Sequence, residues 1–429
     1  MKKTISGLIV GSLISSLSMA APYTITDLGD LAESTSFGTA INNNGLVVGN
    51  YVGVFDTTTG SVEFNSHAFT YDGVNFFDLG TLSPSTSTIN SFAYGVNDAG
   101  DVVGSSSADI SSDMSGTFSE RAFIEQNGVM SNLGIPSVGF VSRAIDINNN
   151  GIVAGYVSIS DDPSASQIIY SEKAHLIDTI NGNTFTNLGT LRTDNTGRSV
   201  ARAINDVGQV VGWSDTEIVS GIFESHAFFY DPQGSGVLED LGTFGGTNSF
   251  ANDINASGLI VGSSTNDNKE TYAFTFKPGT DTALVQLGVL NTDIPFSVAT
   301  GVNDSDQVVG FSVVNRPRQT GQPAETHAVL FENGTLTDLN TQIDCSLGWS
   351  LIKAEDIDNN GVIVGSGLIN NETHGFILTP NPNGGAAEQC PVDATTTTDS
   401  GGGSLSYYWL LLLLLGAFVR NNKRATIKQ

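Results

Sequence analysis

One pattern constrains this chain more than any other. Ile/Val-Asn-x-x-Gly-x-Val/Ile-Val-Gly, in places loosened, runs from end to end. Its Asn position falls at Asn42, Asn97, Asn148, Asn205, Asn255, Asn303 and, as an acid, at Asp358, so successive copies lie 48 to 57 residues apart. The closing glycine is present every time, at Gly49, Gly104, Gly155, Gly212, Gly262, Gly310 and Gly365. Two further patterns keep the same beat. One resembles His-Ala-Phe and centres on Ala68, Ala122, Ala174, Ala227, Ala273, Ala328 and Gly375; the other resembles Asp-Leu-Gly and has its Leu at Leu28, Leu79, Leu133, Leu188, Leu241, Leu287 and Leu339. A length of 429 residues alone suggests two or three domains, but one period throughout overrides that reading and implies one repeat array.

The repeated segments are short, rich in Val, Ile, Phe and Thr, and separated by Asn/Asp/Gly clusters, which reads as strands and turns. In Asn42-Asn-Asn-Gly45 or Asn205-Asp-Val-Gly208 an Asn side chain can close an Asx turn while the glycine takes positive φ. With turns such as Asp72-Gly73 between the second and third patterns, each unit carries four strands. Four-stranded antiparallel units at a period near 50 predict an all-β fold, a seven-bladed β-propeller spanning residues 22–380. The chain ends fit this. Tyr23 to Gly29 is an orphan Asp-Leu-Gly strand, and the last unit stops after His374 to Leu378 without one, so the N-terminal strand is expected to close the ring. A linear solenoid is the alternative fold.

His226-Ala-Phe, Asp240-Leu-Gly-Thr-Phe-Gly-Gly, Ser249-x-Ala, Ile254-Asn-x-x-Gly258 and Val261-Gly resemble the HAF family of extracellular bacterial repeat proteins, over residues 23–379. The resemblance implies an exported protein and carries no assigned activity. Lys173-Ala-His, Tyr272-Ala-Phe and Asp306 in place of the hairpin glycine depart from it.

Both ends read as targeting segments. Lys2-Lys3, the apolar run Ile5 to Met19 and small residues at Ala20 and Ala21 predict a signal peptide over 1–21, removed by signal peptidase. Export would place Cys345 and Cys390 in an oxidising compartment, where a disulfide is expected to tie the C-terminal segment to the last unit. Residues 381–404 form a Thr/Gly-rich linker, and 405–429 an apolar and basic tail. Gly401, Gly402 and Gly403, the apolar run Leu405 to Val419 and Arg420 to Arg424 resemble a GlyGly-CTERM sorting tail. That resemblance implies cleavage near the glycines by a rhomboid-like sorting protease, type II secretion, a Gram-negative host and final display at the cell surface. A plain C-terminal membrane anchor is the alternative, although 15 apolar residues are short for a span.

Charge narrows the partners. Six of the 17 basic residues lie in the two tails, leaving 11 in the body against 44 acids. Such a surface repels phosphate backbones, so nucleic acid is excluded as a partner. His67, His226, His327 and His374 share one place in four units, but Arg121, Lys173 and Tyr272 fill it in the others, which points to a structural hydrogen-bonding position and to no catalytic residue. Asp356-Ile-Asp358-Asn-Asn360-Gly361 and Asp146-Ile-Asn148-Asn-Asn150-Gly151 open like calcium loops. Their twelfth positions are Gly367 and Val157 where a bidentate Glu belongs, so the turn reading is preferred and neither metal nor cofactor is expected.

The expected function is therefore a non-enzymatic, surface-displayed scaffold that binds a glycan or a surface protein. A hydrolase with its active site at the channel mouth and a purely structural surface component are the alternatives. The expected binding face is the one carrying the long, unit-specific connections, with Trp213, Phe311, Tyr156 and Tyr51 as exposed aromatic anchors, and the short turns at Asn43 and Asp206 lie on the other.

Overall fold

The computed structural model describes residues 20–29, 35–56, 61–82, 90–109, 118–136, 139–160, 170–217, 224–315 and 324–385. All lie in one compact unit, Met1–Gln389; a second unit, Cys390–Gln429, lies outside the described residues, as do the apolar run of the signal peptide, Cys390 and Gly401 to Gly403. Among the described residues no helix is long and apolar enough to cross a membrane.

The fold is all-β and built of four-stranded antiparallel sheets. One repeat shows how. Ser199–Ile204, Val210–Asp215, Ser225–Tyr230 and Glu239–Asp240 pair in chain order, first strand to fourth. Between the first two strands, Gly208 takes φ +85° and its N–H donates to the Asn205 carbonyl at 3.0 Å, while Asn205 Oδ1 accepts the Gln209 N–H at 3.0 Å. The turn at Asp306 survives its missing glycine because Asp306 itself adopts φ +60°, a conformation short polar side chains tolerate. Five such sheets are separate, and two more join into one eight-stranded sheet through a single parallel pairing, Ser225 with Asn248.

The closing glycine of every second strand has one cause. A Cβ at Gly104 would overlap the carbonyl oxygen of Phe92 on the paired first strand, and the other six closing glycines face the equivalent carbonyl. Only Gly permits that approach.

The cores lie between sheets, not within them. Ala40, Val48 and Ala68 pack on Ala93, Val102 and Phe123 of the next repeat, and the same arrangement recurs along the chain. A serine pins six of these junctions, as where Ser91 Oγ accepts the Ala68 N–H of the preceding repeat at 2.9 Å and donates to Gly80 O at 2.6 Å; before the last repeat, which has Ile352 there, Asn340 bonds the Leu351 backbone instead. The chain ends obey the same rules. Tyr23–Asp27 pairs antiparallel with Glu372–Pro380, Gly375 N–H donates to Ser36 Oγ at 3.0 Å, and Leu28, Ile41 and Phe69 share a core with Val364 and Ile377.

Candidate functional site

The first strands bring their turns together. A single depression of about 180 Å³ is lined by the Ile/Val-Asn and following residue of all seven repeats. Each Asn works in two directions. Asn148 Oδ1 holds its own turn through Asn150 N at 3.0 Å and Ile152 N at 2.9 Å, while Nδ2 donates to Asn205 O of the next repeat at 3.0 Å. Asp358 has no amide to donate, and there the neighbours supply the link through Asn359 N to Asn43 Oδ1 at 3.0 Å.

The rim is the residue after each Asn: Asn43, Asp98, Asn149, Asp206, Ala256, Asp304 and Asn359. Backbone N–H groups along the rim donate to the next side chain, as in Asn43 to Asp98 Oδ1 at 3.0 Å and Asn149 to Asp206 Oδ1 at 2.9 Å. The relay fails once. Ala256 offers Asp206 N–H no acceptor, and the three rim acids leave the depression anionic.

Behind the rim every first strand carries a β-bulge at the same place, between Gly38 and Ala40, Ala93 and Gly95, Ala144 and Asp146, Ala201 and Ala203, Ala251 and Asp253, Ala299 and Gly301, and Ala354 and Asp356. A bulge frees one residue from the ladder and re-aims its side chain. Here those residues are Thr39, Tyr94, Ile145, Arg202, Asn252, Thr300 and Glu355, chemically different in almost every repeat. Thr39, Asn252 and Thr300 donate to the following repeat's Ala93, Ala299 and Ala354 carbonyls at 3.0, 2.7 and 2.8 Å.

The next position holds Asp146, Asp253 and Asp356 in alternate repeats and Ala or Gly in the rest. Asp146 Oδ1 accepts Ile147 N–H and Oδ2 accepts Ile204 N–H of the next repeat, both at 2.8 Å. Asp253 and Asp356 repeat this with Val302 and Ile41. Burial pushes the Asp146 carboxyl up to about 6 against the pull of those two N–H groups, with the charge of Asp206 adding to the rise. Asp253 and Asp356 are also raised, by burial and then by the negative charge of their neighbours in this trio. Among the described residues no group of three or more ligating side chains is arranged to hold a metal ion, and the carboxylates that opened the calcium-like loops are engaged by N–H groups.

Between the second and third repeats a further hollow of about 180 Å³ is lined by Phe92, Glu120 and Arg143. Glu120 is held by Arg143 Nη2 at 2.8 Å and Ser105 Oγ at 2.6 Å, and the guanidinium lies 5.8 Å from the Tyr156 ring centre. Burial opposes the Arg143 charge, but Tyr94, Tyr156 and Glu120 around it hold its proton above the ordinary range.

The expected aromatic anchors are elsewhere than predicted. Trp213 is 6% and Phe311 4% exposed, both inside second strands, where Trp213 pairs with Val200 and Ala227 and meets the Phe250 ring at 6.0 Å. Tyr51 and Tyr156 are half-buried on Val47–Asp56 and Ile152–Ser160, with Tyr51 edge-on to Phe76 at 5.5 Å. The second strands continue past the Val-Gly pair, so these positions are ladder residues covered by neighbouring sheets and not exposed loop tips. The short-turn residues Asn43 and Asp206, expected to be plain connectors, line the depression instead.

The four repeat-wide histidines each face an aspartate of the fourth strand: His67 Nδ1 to Asp78 at 3.1 Å, His226 to Asp240 at 2.8 Å, His327 to Asp338 at 2.6 Å and His374 to Asp27 at 2.8 Å. Where Arg121, Lys173 or Tyr272 replaces His, the fourth-strand position is Asn132, Asn187 or Gln286. His175 occupies a Phe position, is buried, and bonds Lys173 O at 2.9 Å.

Solved structures resemble the chain at low likeness. The β-propeller domain of the Trilobed protease from Pyrococcus furiosus is 8% identical at a TM-score of 0.47, over 80% of this chain and 95% of that one. A Trypanosoma rangeli sialidase mutant gives 10% and 0.42 over 84% and 59%, and a polysaccharide lyase PL25 ulvan lyase 13% and 0.40 over 88% and 98%. No curated protein matches the sequence. A family described as a protein of unknown function, DUF3466, matches residues 77–244 and 137–292, together half of the chain; the chain belongs to that family.

Proposed function

We propose that this chain is a seven-bladed β-propeller, closed by its own first strand, that acts as an exported, non-enzymatic binding scaffold through the axial depression. The observation that carries the reading is the rim: amides and carboxylates from every repeat but the one with Ala256 surround one polar depression, offering paired donors and acceptors to a hydroxyl-rich ligand such as a surface glycan. Signal-peptide removal, the Cys345–Cys390 bridge, tail processing near Gly401 to Gly403 by a rhomboid-like protease and surface display complete the proposal, on the sequence features described above. The test is a glycan and surface-protein array, with and without calcium, probed with the mature chain and with an Asn43→Ala/Asp206→Ala variant. Loss of at least tenfold in binding to the captured ligand is expected for the variant. Unchanged binding would move the site away from the axis.

A hydrolase at the axis is the second reading, and Asp146, Asp253 and Asp356 favour it, because carboxyls held near neutrality are suited to proton transfer. Against it, both oxygens of all three accept backbone N–H groups and tie one repeat to the next. Turnover on a panel of glycosides that disappears with Asp146→Asn or Asp356→Asn would replace the scaffold reading with this one.

A further inference from the structure

Arg202 stands apart from the other guanidinium groups among the described residues. Arg143 pairs with Glu120, Arg192 with Asp194 and Arg198 with Asp215. Arg121 has no carboxylate but satisfies one nitrogen with Ser119 Oγ, Glu120 O and Phe140 O. Arg202 makes neither arrangement. Among the described residues its one acceptor is the Asn252 side-chain oxygen, donated to by Nη1, and no carboxylate pairs with it. Guanidinium carries five N–H donors in a planar fork, so four are left over.

Its position makes the surplus informative. Arg202 is the freed residue of its β-bulge, on a first strand, half-buried, with Ile145 and Asn252 at the matching bulges of the neighbouring repeats. None of its nitrogens is sealed in without a partner, so the surplus donors stay open to solvent or to a ligand. Burial lowers the Arg202 pKa to about 10 and leaves it charged at neutral pH. The same ring supplies neutral polar neighbours, Asn252 and Thr300, whose own bonds run to the next repeat and hold them in place.

We infer that Arg202, behind the rim of the axial depression, is an anion-binding group and that its ligand is a carboxylate, whose two oxygens match two parallel guanidinium N–H groups. This rests on the axial reading above and adds the chemical class of one ligand group. Asp98, Asp206 and Asp304 line the rim depression and Arg202 does not, so the carboxylate would be held apart from the rim acids.

The probe is acetate, added to the full-length protein at constant ionic strength with chloride as the reference, and read by thermal melting and by equilibrium dialysis of labelled acetate. Wild type should bind one acetate per chain and gain about 2 °C at tenfold excess over Kd. Arg202→Met should lose both signals while melting no lower than wild type in chloride. Dialysis on wild type alone decides the matter if that variant fails to fold. No bound acetate, an equal shift from chloride, or an acetate shift that persists in Arg202→Met would overturn the assignment. Acetate binding that survives while rim variants keep their array ligand would instead contradict the rim reading and leave Arg202 in place.

Discussion

His374 and Asp27 lie 347 positions apart in the chain, yet His374 Nδ1 meets Asp27 Oδ1 at 2.8 Å. The last repeat makes its His–Asp pair with an aspartate that the first strand delivers, in the register that the other three pairs make within themselves. Asp27→Asn keeps the shape and removes the charge, and with both side chains mostly covered it should cost about 1–2 kcal/mol. Asp78→Asn, whose carboxylate is 42% exposed, should cost less. Urea midpoints of the two variants check the order.

Stability should fall as pH rises from about 4 to 8. Asp146, Asp253 and Asp356 have raised values, so the folded protein binds more protons than the unfolded chain across that window, and stability present at low pH is lost as each ionises. His226 and His327 act in the same direction. Burial lowers them, but the hydrogen bonds and charges of Asp240 and Asp338 prevail, so their contribution is complete below the ordinary histidine value and disappears above the raised one. Asp240 and Asp338 are lowered and bring the opposite loss only in stronger acid, below the ordinary aspartate value. Asp146→Asn should flatten the slope between pH 4 and 7 by about 2 kcal/mol, read from denaturation curves at each pH.

Gly104→Ala should cost at least about 3 kcal/mol, because the added methyl overlaps the Phe92 carbonyl and both strands are fixed by their ladders. Expression as soluble protein and a urea midpoint measure it. A loss below 1 kcal/mol would mean that the two strands part more easily than their pairing suggests.

Ala256→Asn should stabilise by about 0.5–1 kcal/mol. It supplies the acceptor that Asp206 N–H lacks and completes the rim relay, as Asn149 does for Asp98 at 2.8 Å. A midpoint below wild type would show that the break at Ala256 is relieved in some other way.

Most of the fold was legible because the repeat signals are local. The turn at Asn205 to Gly208, the strands on either side of it and the complementary chain ends all follow from pattern and turn chemistry. The site was less legible. Trp213 and Phe311 look like loop anchors, since strand length past the Val-Gly pair is set by pairing with the third strand and not by any residue signal. Arg202 and Tyr94 carry no repeated signal, because what marks them is a difference between repeats. The usable signal was there: one position after each invariant-looking Ala or Gly changes chemistry from repeat to repeat, between otherwise repeating neighbours. The His positions carried a similar clue, since His goes with Asp and its replacements with Asn or Gln.

The central claim is that the chain closes on itself through its first strand, since the shared depression and the bulge ring both depend on every repeat having two neighbours. Thr24 and Thr379 are exposed register partners across that junction. The direct measurement is therefore a Thr24→Cys/Thr379→Cys pair placed in a Cys345→Ser/Cys390→Ser background and oxidised in dilute solution. Closure predicts an intramolecular disulfide in nearly every molecule, faster migration on a non-reducing gel and a higher melting temperature than the reduced form. Two thiols that stay free under these conditions, or that link only between molecules, would contradict it.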